Sequence, residues 1–294
     1  MQLTLGVGYN GAVLRLITAF ILLTITSVEA AVPEASLGSF ISVYDQTKQE
    51  YLLAVPRVES AYPRALVIYL HGHGSDRNQG FNQSIFGESF RRLRVECERR
   101  GFAYATLDYR GKTSWMNPQA EADVTQLIRN LKKRLRVKDV YLTGASMGGT
   151  SALAYAVRHP ELLSGVIAIC PATDVGRYGV WCSTKDGLLK QLSDAISESY
   201  KATPEENPKL FAGRSVVRNH SKLTMPVVVA HGELDAIIPV DGSRKLAALM
   251  RRDGQTLLYQ EIKGGGHDTP VVEADWLRYL DFIIYQGERL APAN

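Results

Sequence analysis

Apolar residues fall along this chain in two rhythms. Short, nearly unbroken apolar runs occur at Ala65 to Leu70, Phe102 to Leu107, Lys138 to Thr143, Leu163 to Ile169, Pro226 to Ala230 and Thr256 to Ile262. Runs of this length and density read as strands, most of them covered on both faces. Between them lie longer stretches with apolar positions at helical spacing. Ser84 to Arg100 carries Phe86, Phe90, Leu93, Val95 and Cys97 and is stopped by Gly101, a helix-end glycine. Glu121 to Leu135, Thr150 to His159, Ser243 to Arg252 and Asp275 to Gln286 follow the same period. Strands alternating with helices predict an α/β fold, a mostly parallel sheet with helices on both faces. Ahead of the alternation, Phe40 to Tyr44 and Glu50 to Val55, with Asp45-Gln46-Thr47 between them, predict an antiparallel edge hairpin. From Thr173 to Lys222 the alternation stops, with a helical patch around Gly187 to Tyr200. A long insert between strands suits a lid or pocket wall.

The composition, 45% hydrophobic and 22% charged over 294 residues, is that of a globular chain with one sizeable core. The net charge is +4, and the densest basic stretches, Arg91 to Arg100 and Lys132 to Lys138, alternate with apolar residues at helical spacing. They read as solvated helix faces, so no nucleic-acid partner is expected. Arg15, the apolar stretch Leu16 to Ile25 and the small residues around Val28-Glu29-Ala30 have the layout of a secretory signal peptide cleaved after Ala30. Export to the periplasm or the medium is therefore expected, with residues 31–294 forming one α/β domain that carries 173–222 as its insert. No second long apolar run follows, so no stable membrane span is expected after cleavage. Cys97, Cys170 and Cys182 leave an odd thiol, and an oxidising compartment leaves open a Cys170–Cys182 disulfide or three buried thiols.

Chemistry concentrates where strands end. Gly144-Ala145-Ser146-Met147-Gly148 joins a strand to a helix in the layout of a nucleophile elbow, which presents a serine Oγ at the top of a sheet. A serine needs a base and a group to orient it. Downstream, Asp235 follows the strand ending in His231-Gly232, and His267 follows Gly264-Gly265-Gly266. That order, Ser146, Asp235, His267, is the one such an elbow requires. Glu233 and Asp268 are the rivals of Asp235. The oxyanion hole needs two N–H donors. Met147 supplies one by position, and the loop His71-Gly72-His73-Gly74 supplies the other, through His73 or alternatively Gly74. His71-x-His73 as a metal pair lacks further ligands, and His71 and His231 read as structural. No cofactor and no metal are called for.

These four segments, Leu70 to Ser75, Gly144 to Gly149, His231 to Asp235 and Gly265 to His267, together resemble the α/β-hydrolase fold. Within it they are most similar to the prolyl-oligopeptidase and dienelactone-hydrolase branch, which includes small secreted esterases. The resemblance covers roughly Ala65 to Gln286. Ser146 stands where dienelactone-type chemistry uses cysteine, and the chain has no room for the propeller of prolyl oligopeptidases. The resemblance implies a serine esterase acting on a small-molecule or polysaccharide-linked ester, acetyl or feruloyl groups included. Tyr178 and Trp181 in the insert are candidates to stack on such a substrate. The alternatives are a peptidase, with Glu205 and Glu206 as candidate anchors for a peptide terminus, and a binding protein on a hydrolase scaffold. The sequence is silent on oligomeric state.

Overall fold

The computed structural model describes residues 34–57, 62–81 and 86–290. The expected signal peptide and the expected helix start at Ser84 lie outside the described residues. Eight strands form one sheet: β1 (Ser36–Ile41), β2 (Lys48–Ala54), β3 (Ala65–Leu70), β4 (Phe102–Leu107), β5 (Asp139–Ala145), β6 (Gly165–Ile169), β7 (Val227–Gly232) and β8 (Leu257–Ile262). Their spatial order is β1-β2-β4-β3-β5-β6-β7-β8. The β1–β2 and β2–β4 pairs are antiparallel and all others parallel. This is an α/β-hydrolase architecture, with the hairpin at one edge.

The central strands are buried on both faces, and alternate residues serve the two sides. In β3, Leu66, Ile68 and Leu70 enter one core, while Ala65, Val67 and Tyr69 enter the other. The first core is closed by α2 (Pro118–Leu135) and α3 (Met147–Arg158), the second by α1 (Gly87–Arg100) and α10 (Trp276–Leu290). Helix ends follow their local chemistry. Asn117 caps α2 by accepting the Ala120 N–H at 2.8 Å, with Pro118 at the first turn where a missing N–H costs nothing. Gly101 ends α1 at φ 69°. None of the helices in the described residues is long and apolar enough to cross a membrane.

The hairpin is shifted from its expected position. β1 begins at Ser36, and the chain turns through 42–47, leaving Val43 and Tyr44 exposed. The reason is Ser42. Its hydroxyl donates to Asp123 Oδ1 at 2.5 Å and accepts from Arg110 at 2.7 Å, which draws the backbone out of the strand. The insert also differs from a single helical patch. It holds α4 (Val175–Ser183), α5 (Gly187–Tyr200), α6 (Pro208–Ala212) and α7 (Val216–Asn219). Gly176 and Gly179 weaken helix propensity across α4 and hid it in the sequence. Phe211 packs closely on Gly176, where an added Cβ would lie 3.0 Å from the Phe211 Cβ, whereas at Gly179 an added Cβ would make only ordinary contact with Ile196. Leu192, Ile196, Tyr200 and Phe211 are buried and continuous with the first core. The insert is anchored by charge as well. Glu121 of α2 accepts from Arg158 Nε at 3.0 Å and His159 Nε2 at 2.8 Å, and pairs with buried Arg214 between α6 and α7. All three cysteines are buried free thiols, so Cys170 and Cys182 are not bridged.

The tightest approach is at the elbow. A Cβ on Gly148 would lie 2.0 Å from the Leu70 carbonyl oxygen, and one on Gly144 would lie 2.4 Å from the Gly148 backbone. Both partners are main chain and cannot swing aside. Gly148→Ala is therefore expected to cost on the order of 3 kcal/mol as an overpacked site, lowering the thermal midpoint by roughly 10 °C for a domain of this size. A midpoint within about 2 °C of the parent would show that the strand and helix can separate there.

Candidate active site

Ser146 sits between β5 and α3 with a positive φ, φ 56° and ψ −119°, outside the regions an L-residue favours. A serine pays strain there, and the surroundings hold it. Its N–H donates to Ile169 O at 2.8 Å, and its carbonyl accepts from the Thr150 hydroxyl at 2.9 Å. The kink points Oγ toward the loop after β8. There His267 Nε2 lies 2.9 Å from Ser146 Oγ, and His267 Nδ1 lies 2.6 Å from Asp235 Oδ2. A neutral imidazole donating from Nδ1 to the carboxylate accepts at Nε2 from the serine hydroxyl, which is the tautomer a base requires.

Asp235 is held from several sides. Its Oδ1 accepts the N–H groups of Ile237 and Ile238 at 2.8 and 2.9 Å. Its Oδ2 lies 3.2 Å from His231 Nε2. Burial pushes the carboxyl up, but the hydrogen bonds from His231, His267 and the Ile238 backbone outweigh it and hold Asp235 well below the usual carboxylate range. His231 is itself fixed: Nε2 also reaches Ile238 O and Nδ1 pairs with Ser243 Oγ, both at 2.8 Å. The turns bearing Asp235 and His267 meet because Gly232 has no side chain; a Cβ there would lie 2.2 Å from Gly266 O. The rivals of Asp235 are placed elsewhere. Glu233 accepts the Gly264 N–H at 2.8 Å, and Asp268 is exposed at the start of α9 (Thr269–Val272).

Cys170 stands behind this pair at φ 48°, with its thiol donating to the His267 carbonyl at 3.1 Å. Burial first, and then the neighbouring Asp235 charge, push the thiol well above its ordinary pKa. Cys170, His231 and Asp235 bring ligand-type atoms within 4.8 Å of one another. They do not suit a metal: both His231 nitrogens and the Asp235 oxygens are already engaged, and the thiol is held protonated.

The loop after β3 faces the elbow. The Gly72 N–H donates to Gln79 Oε1 at 2.8 Å, and the Gly74 N–H donates to Lys112 O at 2.8 Å. Gly74 is thereby committed elsewhere, which corrects it as an alternative oxyanion donor. Among the described residues the His73 N–H has no protein partner, and Met147 opens α3 with its own N–H at the helix head. A cavity of about 180 Å³ opens at Ser146 and His267, walled by Tyr69, Phe86, Phe90 and Val271, with His73, Gln79 and Asp268 as its other polar lining. Tyr178 and Trp181 do not line it. They stack on each other, centroids 6.0 Å apart, in the wall of a neighbouring cavity of about 380 Å³, because α4 packs away from the elbow. Glu205 is in a further surface cleft beside Arg177 and Arg218, and Glu206 accepts the Thr203 N–H at 2.8 Å. Trp115 and Gln79 were not foreseen. Trp115 is buried at φ 48°, its ring 5.9 Å from His73 and 5.6 Å from Tyr178.

The profile of the prolyl oligopeptidase family matches residues 88–284. The chain belongs to the prolyl oligopeptidase family. It is a hydrolase of that family within the α/β-hydrolase superfamily. It is similar to the mitochondrial palmitoyl-protein thioesterase ABHD10 of Rattus norvegicus, 26% identical over 66% of this chain and 66% of that one. It is similar also to the monoacylglycerol lipase of Mycolicibacterium smegmatis, 32% identical over 35% of this chain and 46% of that one. The puromycin-hydrolyzing peptidase of Mycobacterium tuberculosis shares the fold at a TM-score of 0.67, with 15% identity over 86% of this chain and 40% of that one. The chain thus spans between about two fifths and two thirds of the length of these proteins.

One titration in this prolyl oligopeptidase family member is accessible to measurement. Burial holds the His71 imidazole below its ordinary pKa, against the pull of the Gly72 and Asp108 carbonyls. With the folded pKa below the unfolded one, its contribution to stability is complete above about pH 6.5 and is lost as pH falls below that value. The thermal midpoint is expected to drop between pH 7 and 5, with a shallower drop in His71→Asn. Equal slopes in the two proteins would assign the effect to other groups.

Proposed function

We propose that this hydrolase is a serine esterase that cleaves a carboxylic ester through an acyl-enzyme on Ser146. The observation that carries the reading is the unbroken chain from Ser146 Oγ through His267 to Asp235, at 2.9 and 2.6 Å. His267 takes the hydroxyl proton as Oγ attacks the ester carbonyl, then gives it to the departing alcohol. Asp235 keeps the ring in that tautomer and stabilises the imidazolium. The His73 and Met147 N–H groups receive the developing oxyanion; such a donor is typically worth on the order of 3 kcal/mol. Water then repeats the sequence and frees the acid.

Esters are favoured over peptides by the site's dimensions. A cavity of about 180 Å³ beside Ser146 is small and mostly apolar, suited to a short or aryl acyl group. The names of the thioesterase and lipase relatives point the same way. The second reading, a peptidase, is supported by the family and by the peptidase whose fold is shared. Tyr178 and Trp181 belong to the adjoining cavity and bear on the more distant half of the substrate. Export, resting on residues 1–30, puts polysaccharide-linked acetyl or feruloyl esters within reach.

Purified protein is expected to turn over p-nitrophenyl acetate and to leave an aminoacyl-nitroanilide intact; turnover of the anilide alone would sink the esterase reading. Ser146→Ala is expected to lose fluorophosphonate labelling and to lower kcat by on the order of 10^5 or more, with the far-UV spectrum unchanged. Asp235→Asn is expected to lower kcat by on the order of 10^4. Full activity in either variant would place the chemistry elsewhere.

A further inference from the structure

The cavity of about 380 Å³ beside the Ser146 site has no part in the proton transfers. Its floor is nonetheless bonded to the catalytic turns. The Ala172 N–H donates to Thr150 Oγ1 at 2.8 Å, and that hydroxyl donates to the Ser146 carbonyl at 2.9 Å. Ile238, also in its lining, donates its N–H to Asp235 Oδ1 at 2.9 Å. Tyr178 donates its hydroxyl to Ile237 O at 3.1 Å. The Trp115 ring lies 5.9 Å from His73, which lines the smaller cavity, and 5.6 Å from Tyr178, which lines this one.

The charged residues of the lining are Asp174, Arg177, Asp241 and Lys245. Asp174 is fully engaged and Asp241 only loosely, since its partner Arg244 is held mainly by Glu261. Asp174 accepts the Arg177 N–H at 3.0 Å and the Ser215 hydroxyl at 2.7 Å, and lies 3.6 Å from Arg218 Nε. Asp241 lies 3.4 Å from an Arg244 nitrogen. The two cations are not engaged. Among the described residues neither the Arg177 guanidinium nor the Lys245 ammonium has an ion-pair or hydrogen-bond partner, and they come from different walls, α4 and α8 (Asp241–Arg252). Tyr178 and Trp181 line the cavity with them.

We propose that this cavity takes a carboxylate-bearing half of the substrate, its apolar or aromatic body on Tyr178 and Trp181 and its acid group between Arg177 and Lys245. The proposal rests on the esterase reading and adds the substrate's charge. A guanidinium fork matches a carboxylate in plane and balances its charge, and the ammonium adds a second favourable contact. Both cations are exposed at the rim, so they keep their hydration before binding and the gain is modest and salt-dependent.

The test uses benzoate and benzamide as probes, which share a shape and differ in charge. Benzoate is expected to raise the thermal midpoint by at least about 1 °C more than benzamide at equal concentration in low salt. The difference is expected to vanish in the double variant Arg177→Gln, Lys245→Gln. Two ester pairs then locate the acid. Mono-4-nitrophenyl adipate against 4-nitrophenyl hexanoate places it on the acyl half, and 4-acetoxybenzoate against 4-acetoxybenzamide on the departing half. In one pair the kcat/KM ratio of acid to neutral ester is expected to exceed that of the double variant by about five-fold, as two rim charge pairs allow. Equal midpoints with benzoate and benzamide, or a benzoate advantage unchanged in the double variant, would overturn the anion site. A benzoate advantage lost in the double variant, with no ester hydrolysed, would keep the anion site and sink the esterase reading.

Discussion

The structure turns on a contact between two backbones. The first turn of α3 lies against the end of β3 so closely that Gly148 leaves no room for a Cβ beside the Leu70 carbonyl. That approach tightens the β5-to-α3 connection and holds Ser146 at φ 56°. It also sets the head of α3 opposite the loop at His73, so the Met147 N–H and the His73 N–H belong to neighbouring segments. A wider gap would relax the serine and separate the two donors together. The orientation of Ser146 and the placement of the two N–H groups therefore share one steric cause, and Gly144 and Gly148 are where it is enforced.

Electrostatics plays the corresponding role on the far side of the sheet. Asp235 is buried yet charged, because His231, His267 and two backbone N–H groups compensate its desolvation. His231 faces away from the serine, but its fixed position between Ser243 and Ile238 fixes the carboxylate in turn. The same logic appears at Glu121, which pairs with Arg158 and His159 at the end of α3 and with Arg214 of the insert. In both places a single carboxylate joins segments far apart in sequence.

Much of this was legible in the chain. β3 and β4 have the bounds their apolar runs predict, since strands buried on both faces carry an uninterrupted signal. The hairpin and the insert were less legible. Ser42 bends the first strand through partners that are 81 and 68 residues away, and no local pattern encodes them. Helix α4 carries two glycines, of which Gly176 is explained by the close packing of Phe211, 35 residues away. At the site, Ser146, Asp235 and His267 could be named because each follows a strand end with glycines beside it. Gly74 could not be separated from His73 without knowing that Lys112 takes its N–H. Tyr178 and Trp181 were aromatic residues in the right segment, but which cavity they face depends on how α4 packs.

The sheet order has a consequence for how activity arises. His73 follows β3, Ser146 follows β5, Asp235 follows β7 and His267 follows β8, and β8 is the last strand to leave a ribosome and the outermost strand at its edge. The turn that carries His267 is therefore held by the pairing of β8 with β7. Among the described strands β8 has β7 as its one neighbour, so displacing that edge strand would carry His267 away from Ser146 while the other strands stay paired among themselves.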